Sequence, residues 1–95
     1  MILWMEITAR DTVLPHLAPG QDTVGILVNV KHLAATPVGM KVVFLATLKA
    51  IDDRQLTFAV EAYDEKEKIG EGTHQRFVID VARFAQRLKA KSGGN

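Results

Sequence analysis

Residues 28–39 read VNVKHLAATPVG, a run that places His32 at the end of a strand and stops the strand at a turn. Side chains in a strand alternate between two faces, so His32 shares its face with the even-numbered apolar positions in residues 24–30. We therefore expect its imidazole to point toward the core. Pro37 and Gly39 follow, and Gly39 is free to take a positive φ. Such a turn of small residues lets backbone N–H groups approach a ligand closely.

Composition indicates one small domain. The chain has 95 residues, 47% of them apolar, and a formal net charge of +1. A short chain buries a smaller share of its surface on folding, which favours an oligomer. The balanced charge gives no reason to expect nucleic acid or a membrane surface as a partner, and no apolar run is long enough to span a bilayer. The chain has no cysteine, which excludes disulfides and thiolate chemistry and fits a cytoplasmic protein.

The order of patterns predicts a single α+β domain over residues 1–95. Residues 1–14 lack Gly and Pro and are apolar on all sides, which is typical of a buried central helix. Residues 22–80 alternate and predict a four-stranded antiparallel sheet. The first strand ends at His32 and the second covers about 40–51. The third directs Leu56 to Ala62 inward, and the fourth covers about 69–80. Residues 81–90 predict a short C-terminal helix and residues 91–95 a frayed tail. An open antiparallel sheet wrapped around the first helix accounts for this order.

Local signals refine the sheet. Residues 52–54 predict a short hairpin turn. Gly70 and Gly72 indicate a bulge or the close approach of another backbone. Val43 and Leu45 face away from the helix and leave apolar outer surface, which predicts a subunit interface there or along a sheet edge.

Glu6 is an anomaly in an apolar helix, because burying a carboxylate without a partner costs several kcal/mol. One interpretation is an ordinary i, i+4 pair with Arg10, worth about 0.3–0.5 kcal/mol. The other is a functional carboxylate that faces the same core as His32. His32 is likewise open to two interpretations, a satisfied core residue or a catalytic group.

The other histidines and basic residues give weaker signals. His16, His32 and His74 lack the spacing of metal ligands, so no metal site is predicted. The plain interpretation of His74 is a strand residue hydrogen-bonded to a neighbour. The basic residues are interpreted as solvated charges and only as weak candidates for holding phosphates; they are Arg76, Lys41, Arg83, Arg87 and Lys89.

Five segments carry a family likeness when they are taken in order: Met5-Glu6, Pro15-His16-Leu17, Thr23-Val24-Gly25, HLAATPVG at residues 32–39 and IGEGTHQR at residues 69–76. With them the chain resembles the hot-dog-fold thioesterases, and within these the fluoroacetyl-CoA-specific thioesterase group. The likeness covers nearly the whole chain. The His-x-Ala-Ala-Thr-Pro-x-Gly run is its most specific part.

This resemblance implies a sheet wrapped around a central helix, a homodimer or higher homo-oligomer, and hydrolysis of a short acyl-CoA thioester at clefts between subunits. Glu6 matches the helix carboxylate of the family and His32 its strand histidine, which makes them the expected acid/base pair. Gly39 matches a turn glycine that helps to hold the acyl end, and Thr36 and His74 are assigned with it to substrate binding. No cofactor is expected apart from coenzyme A as part of the substrate.

The sequence departs from the family pattern in one respect. In the family, a strand and a lid-bearing loop precede the helix, and a hydroxyl residue lies just before it, whereas this sequence starts inside the helix. Thr8 and Thr12 lie past Glu6 and are not assumed to replace that hydroxyl. Two other functions therefore stay open: a non-catalytic module that binds acyl-CoA or another small ligand, and a structural oligomer with no cleft between Glu6 and His32. The unpaired sheet edge also favours an oligomer.

Overall fold

A computed structural model describes residues 1–93 of the chain. Its elements are α1 (Ile2–Val13), a 3-10 turn (Leu14–His16), β1 (Gln21–His32), β2 (Val43–Asp52), β3 (Gln55–Tyr63), β4 (Lys68–Asp80) and α2 (Val81–Gly93). The strands form one antiparallel sheet in the order β1-β4-β3-β2, and α1 packs on one face of it. The predicted α+β architecture is confirmed. No helix within the described residues has the length and apolarity that crossing a membrane requires.

Helix α1 buries only one face in the single chain. Its buried residues are Met5, Ala9 and Val13, one turn apart along the side that meets the sheet. The opposite side is exposed, Trp4 by 56%, together with Ile2, Leu3 and Ile7. The expectation of a helix buried on all sides is wrong for one copy, because the sheet covers only one side of it.

Strand β3 forms the centre of the core. Leu56, Phe58, Val60 and Ala62 are buried, and the residues between them are half-buried on the outer face. This confirms the predicted alternation, which is typical of an antiparallel strand with one face in the core.

Strand β2 begins at Val43 rather than near residue 40. Gly39 takes φ +92° as expected, and the N–H of Met40 donates to the carbonyl of Pro37, so a turn still occupies these residues. The hairpin to β3 forms as predicted: Asp52 pairs with Gln55, and Asp53 adopts φ +54° in a two-residue turn. Helix α2 continues to Gly93 rather than stopping at residue 90, and residues 94–95 of the predicted tail lie outside the described part.

Strand β1 contains a bulge that changes which residues face α1. Gly25 pairs with Arg76 and Leu27 with Gln75, so Ile26 is the extra residue. A one-residue shift moves side chains to the opposite face of a sheet. As a result Thr23 is buried, and the prediction that Val24 shares a face with His32 is wrong.

The glycines of β4 sit where backbone or helix comes close. A Cβ on Gly72 would overlap the backbone of Asn29 and Val30, and a Cβ on Gly70 would press on the side chain of Met1. The predicted close approach of another backbone is confirmed at Gly72.

Candidate active site

The carboxylate of Glu6 lies over Gly25 of β1, where a Cβ would stand 2.7 Å from its Oε1 atom. Oε1 is 3.9 Å from Nη1 of Arg76, and the Glu6 side chain is 33% exposed. Arg10 instead holds Asp22 through two hydrogen bonds, Nε to Oδ1 at 2.9 Å and Nη2 to Oδ2 at 2.7 Å. The Glu6–Arg10 interpretation is therefore wrong, and Gly25 provides the room that the Glu6 carboxylate occupies.

Arg76 is a fixed, buried cation. It is 6% exposed, and it donates from Nε to the hydroxyl of Thr23 at 2.7 Å and from Nη2 to the carbonyl of Thr23 at 2.8 Å. Burial lowers the pKa of the Arg76 guanidinium, while the carboxylates of Glu6 and Asp22 act in the opposite direction. A guanidinium stays protonated in proteins, so Arg76 presents a positive charge to Glu6.

His74 orients this guanidinium. The ring is 1% exposed, with Nδ1 at 2.8 Å from the carbonyl of Leu27 and Nε2 at 3.2 Å from Nη1 of Arg76. A carbonyl only accepts, so Nδ1 carries the proton and Nε2 accepts from Arg76. The ring also stacks on Phe58 with centroids 6.4 Å apart. The plain interpretation of His74 as a strand residue bonded to its neighbours fits this geometry, and its contact with substrate stays a prediction.

Glu6 keeps free bonding capacity. Within residues 1–93 its only ionic partner at 4.0 Å or less is Arg76, which lies beyond hydrogen-bonding distance. A half-exposed carboxylate that faces a cation without being bonded to it can still accept a proton from water. The group is therefore suited to act as a base.

His32 lies at the far end of the same strand. It pairs with Gly70 on the face of the sheet that carries α1, and its side chain is exposed rather than directed into the core. From Gly25 to His32 the strand advances roughly 20 Å. No ion pair of 4.0 Å or less joins Glu6 to His32 among the described residues, so one copy does not bring the two groups together.

The turn after β1 borders open space. A Cβ on Gly39 would meet nothing within 4 Å. Thr36 donates from Oγ1 to Oδ2 of Asp64 at 3.1 Å, and Asp64 also accepts the backbone N–H groups of Lys66 and Glu67 at 2.8 Å each. These backbone hydrogen bonds hold the pKa of Asp64 below its ordinary value. The substrate-binding roles of Thr36 and Gly39 stay predictions.

The sequence interpretation missed Arg76, which it treated as a solvated charge. That interpretation is wrong, because Arg76 is buried against Thr23 and His74. Alternation along β4 carried the signal: His74 and Arg76 share a face, and a glycine opposite Arg76 leaves room for a large side chain.

Comparison with known proteins shows which family the chain matches. The family model of fluoroacetyl-CoA-specific thioesterases matches residues 1–82. The fluoroacetyl-CoA thioesterase of Streptantibioticus cattleyicolor is 36% identical over 92 residues, which are 97% of this chain and 66% of that protein. The chain thus spans slightly less than two thirds of the length of this relative.

Solved structures agree with this match. A variant of the fluoroacetyl-CoA-specific thioesterase in complex with fluoroacetate and CoA superposes with a TM-score of 0.91 at 36% identity, covering 97% of this chain and 72% of that one. A hot-dog-like protein from Thermanaerovibrio acidaminovorans superposes with a TM-score of 0.92 at 22% identity, covering 98% and 69%, which is a likeness of fold alone. The architecture is the hot-dog fold. The chain belongs to the fluoroacetyl-CoA-specific thioesterase family.

Proposed function

We propose that the protein hydrolyses a short acyl-CoA thioester in a cleft between two copies of the chain, with Glu6 and His32 as the acid/base pair. The observation that carries this proposal is the half-exposed Glu6 carboxylate, held 3.9 Å from the buried Arg76 and bonded to nothing closer in residues 1–93. Fluoroacetyl-CoA, which the related proteins are named for, is the first substrate to test.

The chemistry needs one base and one acid. Glu6 removes a proton from water while the water oxygen attacks the carbonyl carbon of the thioester. The tetrahedral intermediate then loses the sulfur, and His32 gives that sulfur its proton, so the products are a carboxylic acid and the CoA thiol. Each such proton transfer contributes roughly 10²–10⁴-fold. Backbone N–H groups of the turn around Thr36 and Gly39 are the proposed donors to the oxyanion and the acyl end, with His74 as a further substrate-binding residue.

A site built from two copies fits the position of the two groups. The Glu6 carboxylate lies over Gly25, roughly 20 Å from His32 along β1, so His32 of a second copy is the proposed partner of Glu6. Two apolar areas are available for burial in such an assembly. One is the exposed side of α1 around Trp4, and the other is the outer surface at Val43 and Leu45. A homodimer or higher homo-oligomer is therefore part of the proposal.

Hydrolysis assays test the proposal directly. Thiol release from fluoroacetyl-, acetyl-, propionyl- and butyryl-CoA is measured for the native chain and for Glu6→Gln, His32→Ala and Glu71→Gln, the last removing a carboxylate from the outer face of the sheet. We expect kcat to fall by about 100-fold or more for the first two variants and to stay unchanged for Glu71→Gln. Equal rates for the native chain and the His32→Ala variant would overturn the acid/base assignment.

Binding of a CoA ester without turnover is the alternative function. It is favoured by the hydroxyls of Thr8 and Thr12, which donate to helix carbonyls at 2.7 and 2.8 Å and so are not free to act on a substrate. A rise in the melting temperature with CoA esters but no thiol release would support this alternative. No rise at any ester concentration would count against both functions.

A further inference from the structure

A cleft lies where β4 passes directly into α2, at the end of the sheet away from His32. Its volume is about 330 Å³, and it lies between the end of β4, the β2–β3 turn and the first two turns of α2. The side chains relevant to binding are Arg54, Phe77, Asp80, Arg83, Phe84 and Arg87. None of them takes part in the proposed hydrolysis.

Hydrogen bonds to the backbone of Arg54 and Arg83 hold the two segments that carry the arginines of this cleft. The carbonyl of Arg54 accepts the N–H of Val78 at 2.8 Å, which ties the β2–β3 turn to β4. Asp80 accepts the backbone N–H of Arg83 at 3.1 Å and so caps the start of α2. Arg83 and Arg87 are one helical turn apart and lie on the same side of α2. All three arginines line the same cleft.

The cleft carries three arginines against one carboxylate, Asp80, so its lining has an excess of positive charge. Among residues 1–93, no carboxylate oxygen lies within 4.0 Å of the side-chain nitrogens of Arg54, Arg83 or Arg87, whereas Arg10 and Arg76 both have such a neighbour. Like charges one turn apart on a helix repel each other. A bound anion would relieve this repulsion, and the planar guanidinium fork matches the oxygens of a phosphate group.

The apolar part of the cleft suits a flat ring. Phe77 is 39% exposed and Phe84 is half-buried, so each presents some of its ring surface. Aromatic side chains bind nucleobases by stacking, while arginines bind the attached phosphates. The combination is that of a site for a phosphorylated nucleoside.

From these contacts we infer that the Arg54–Arg83–Arg87 cleft binds the phosphorylated adenosine end of coenzyme A. This inference rests on the proposed function, since that function is what makes CoA the ligand. Asp80 lies four residues beyond Arg76 on β4, or roughly 13 Å along the strand, a separation that the extended pantetheine arm can bridge. Other adenine nucleotides share the same chemistry, so the experiment compares them with CoA.

The binding test uses NMR of the isotope-labelled chain titrated with adenosine 3′,5′-bisphosphate, CoA, 3′-dephospho-CoA and ATP. We expect CoA and the bisphosphate to shift the signals of Arg54, Arg83 and Arg87, and Arg87→Gln to weaken their binding by about fivefold or more. Lys89→Gln is the matched control, since it removes one positive charge from the same helix outside the cleft lining, and it should leave the affinity unchanged. ATP binding as tightly as CoA, or bisphosphate shifts confined to other residues, would overturn the inference.

Kinetics separate this inference from the proposed function. With an acyl-CoA substrate, Arg87→Gln should raise KM by about fivefold or more and leave kcat unchanged, whereas neither value should change with the N-acetylcysteamine thioester, which lacks the nucleotide. Hydrolysis by the native chain with no change of KM in the variant would overturn the cleft assignment and leave the function standing. If the native chain hydrolyses neither thioester, the proposed function fails, and the titration alone decides whether the cleft binds the nucleotide end of CoA.

Discussion

The ion pairs on the two faces of the sheet differ in the distance between their charged groups. On the outer face, Lys68 lies 2.9 Å from both Glu61 and Glu71 and 5.6 Å from the centre of the Tyr63 ring. Hydrogen bonds from Lys68 and Tyr63 lower the pKa of Glu61, and Glu61 and Glu71 in turn raise the pKa of Lys68. On the inner face the Glu6 carboxylate stands 3.9 Å from its cation. Both outer carboxylates bond Lys68 directly, whereas Glu6 has no ionic partner closer than 3.9 Å within residues 1–93, and this difference separates a surface network from the carboxylate proposed as the base.

The largest expected effect is the loss of the buried cation. Arg76→Leu removes the donor to Thr23 and His74 and leaves the carboxylate of Glu6 unpaired, so the free energy of unfolding should fall by about 3 kcal/mol or more. Lys68→Leu, its counterpart on the exposed outer face, should lower that free energy far less, because solvent screens an exposed ion pair. Urea unfolding of both variants measures the difference. If both variants lost the same free energy of unfolding, the hydrogen bonds described for the buried Arg76 would be contradicted.

Alanine substitutions at two glycines compare a site next to rigid backbone with a site next to a movable side chain. Gly72→Ala would push against the backbone of Asn29 and Val30, so the free energy of unfolding should fall by about 2 kcal/mol or more. Gly25→Ala pushes most on the Glu6 carboxylate, which can turn away, and comes within 3.2 Å of Cε1 of the buried His74, so the same free energy should fall by less than for Gly72→Ala. Hydrolysis by the Gly25→Ala variant should nevertheless drop by about tenfold or more, because the base is displaced. A Gly25→Ala variant with native activity would contradict the position given to Glu6.

A smaller effect is expected at the Arg10–Asp22 pair. Its hydrogen bonds lower the pKa of Asp22 to about 2, from an ordinary value of 3.8. A lowered folded-state pKa stabilises the fold above the ordinary value, and this contribution is lost as the pH falls toward 2. Asp22→Asn should therefore lower the free energy of unfolding by about 0.5–1 kcal/mol at neutral pH and leave a weaker pH dependence between about pH 4 and 2.

Glu65→Gln is the control for that series, because Glu65 is an exposed carboxylate at the β3–β4 turn. It should leave the acid dependence of unfolding as it is in the native chain. An Asp22→Asn variant with the same acid dependence as the native chain would show that the pair with Arg10 does not persist in solution.

The sequence was sufficient to predict those features whose conformation depends only on adjacent residues. The alternation in β3, the turn at Asp53 and the positive φ of Gly39 could all be predicted, since strand period and turn chemistry depend on a few adjacent residues. Glu6 could also be recognised, because an unpaired carboxylate in an apolar helix is costly wherever that helix packs.

The remaining features depend on contacts between distant segments. The bulge at Ile26 reverses the faces of β1, and the adjacent Gly25 was its only local signal, which strict alternation along the strand overlooked. Arg76 is buried because Gly25 lies opposite it and Thr23 accepts its hydrogen bonds, which becomes visible only when β1 and β4 are paired. The separation of Glu6 from His32 in one copy follows from the same register, and the sequence shows only that both are candidates.

Mixed dimers test the central claim most directly. Glu6→Gln and His32→Ala variants are purified separately, then unfolded together and refolded, and hydrolysis of the acyl-CoA substrate is measured before and after mixing. If each site takes Glu6 from one copy and His32 from the other, mixing restores one intact site in every heterodimer and about one quarter of the native activity. A mixture that stays at the level of the separate variants would contradict a site shared between two copies.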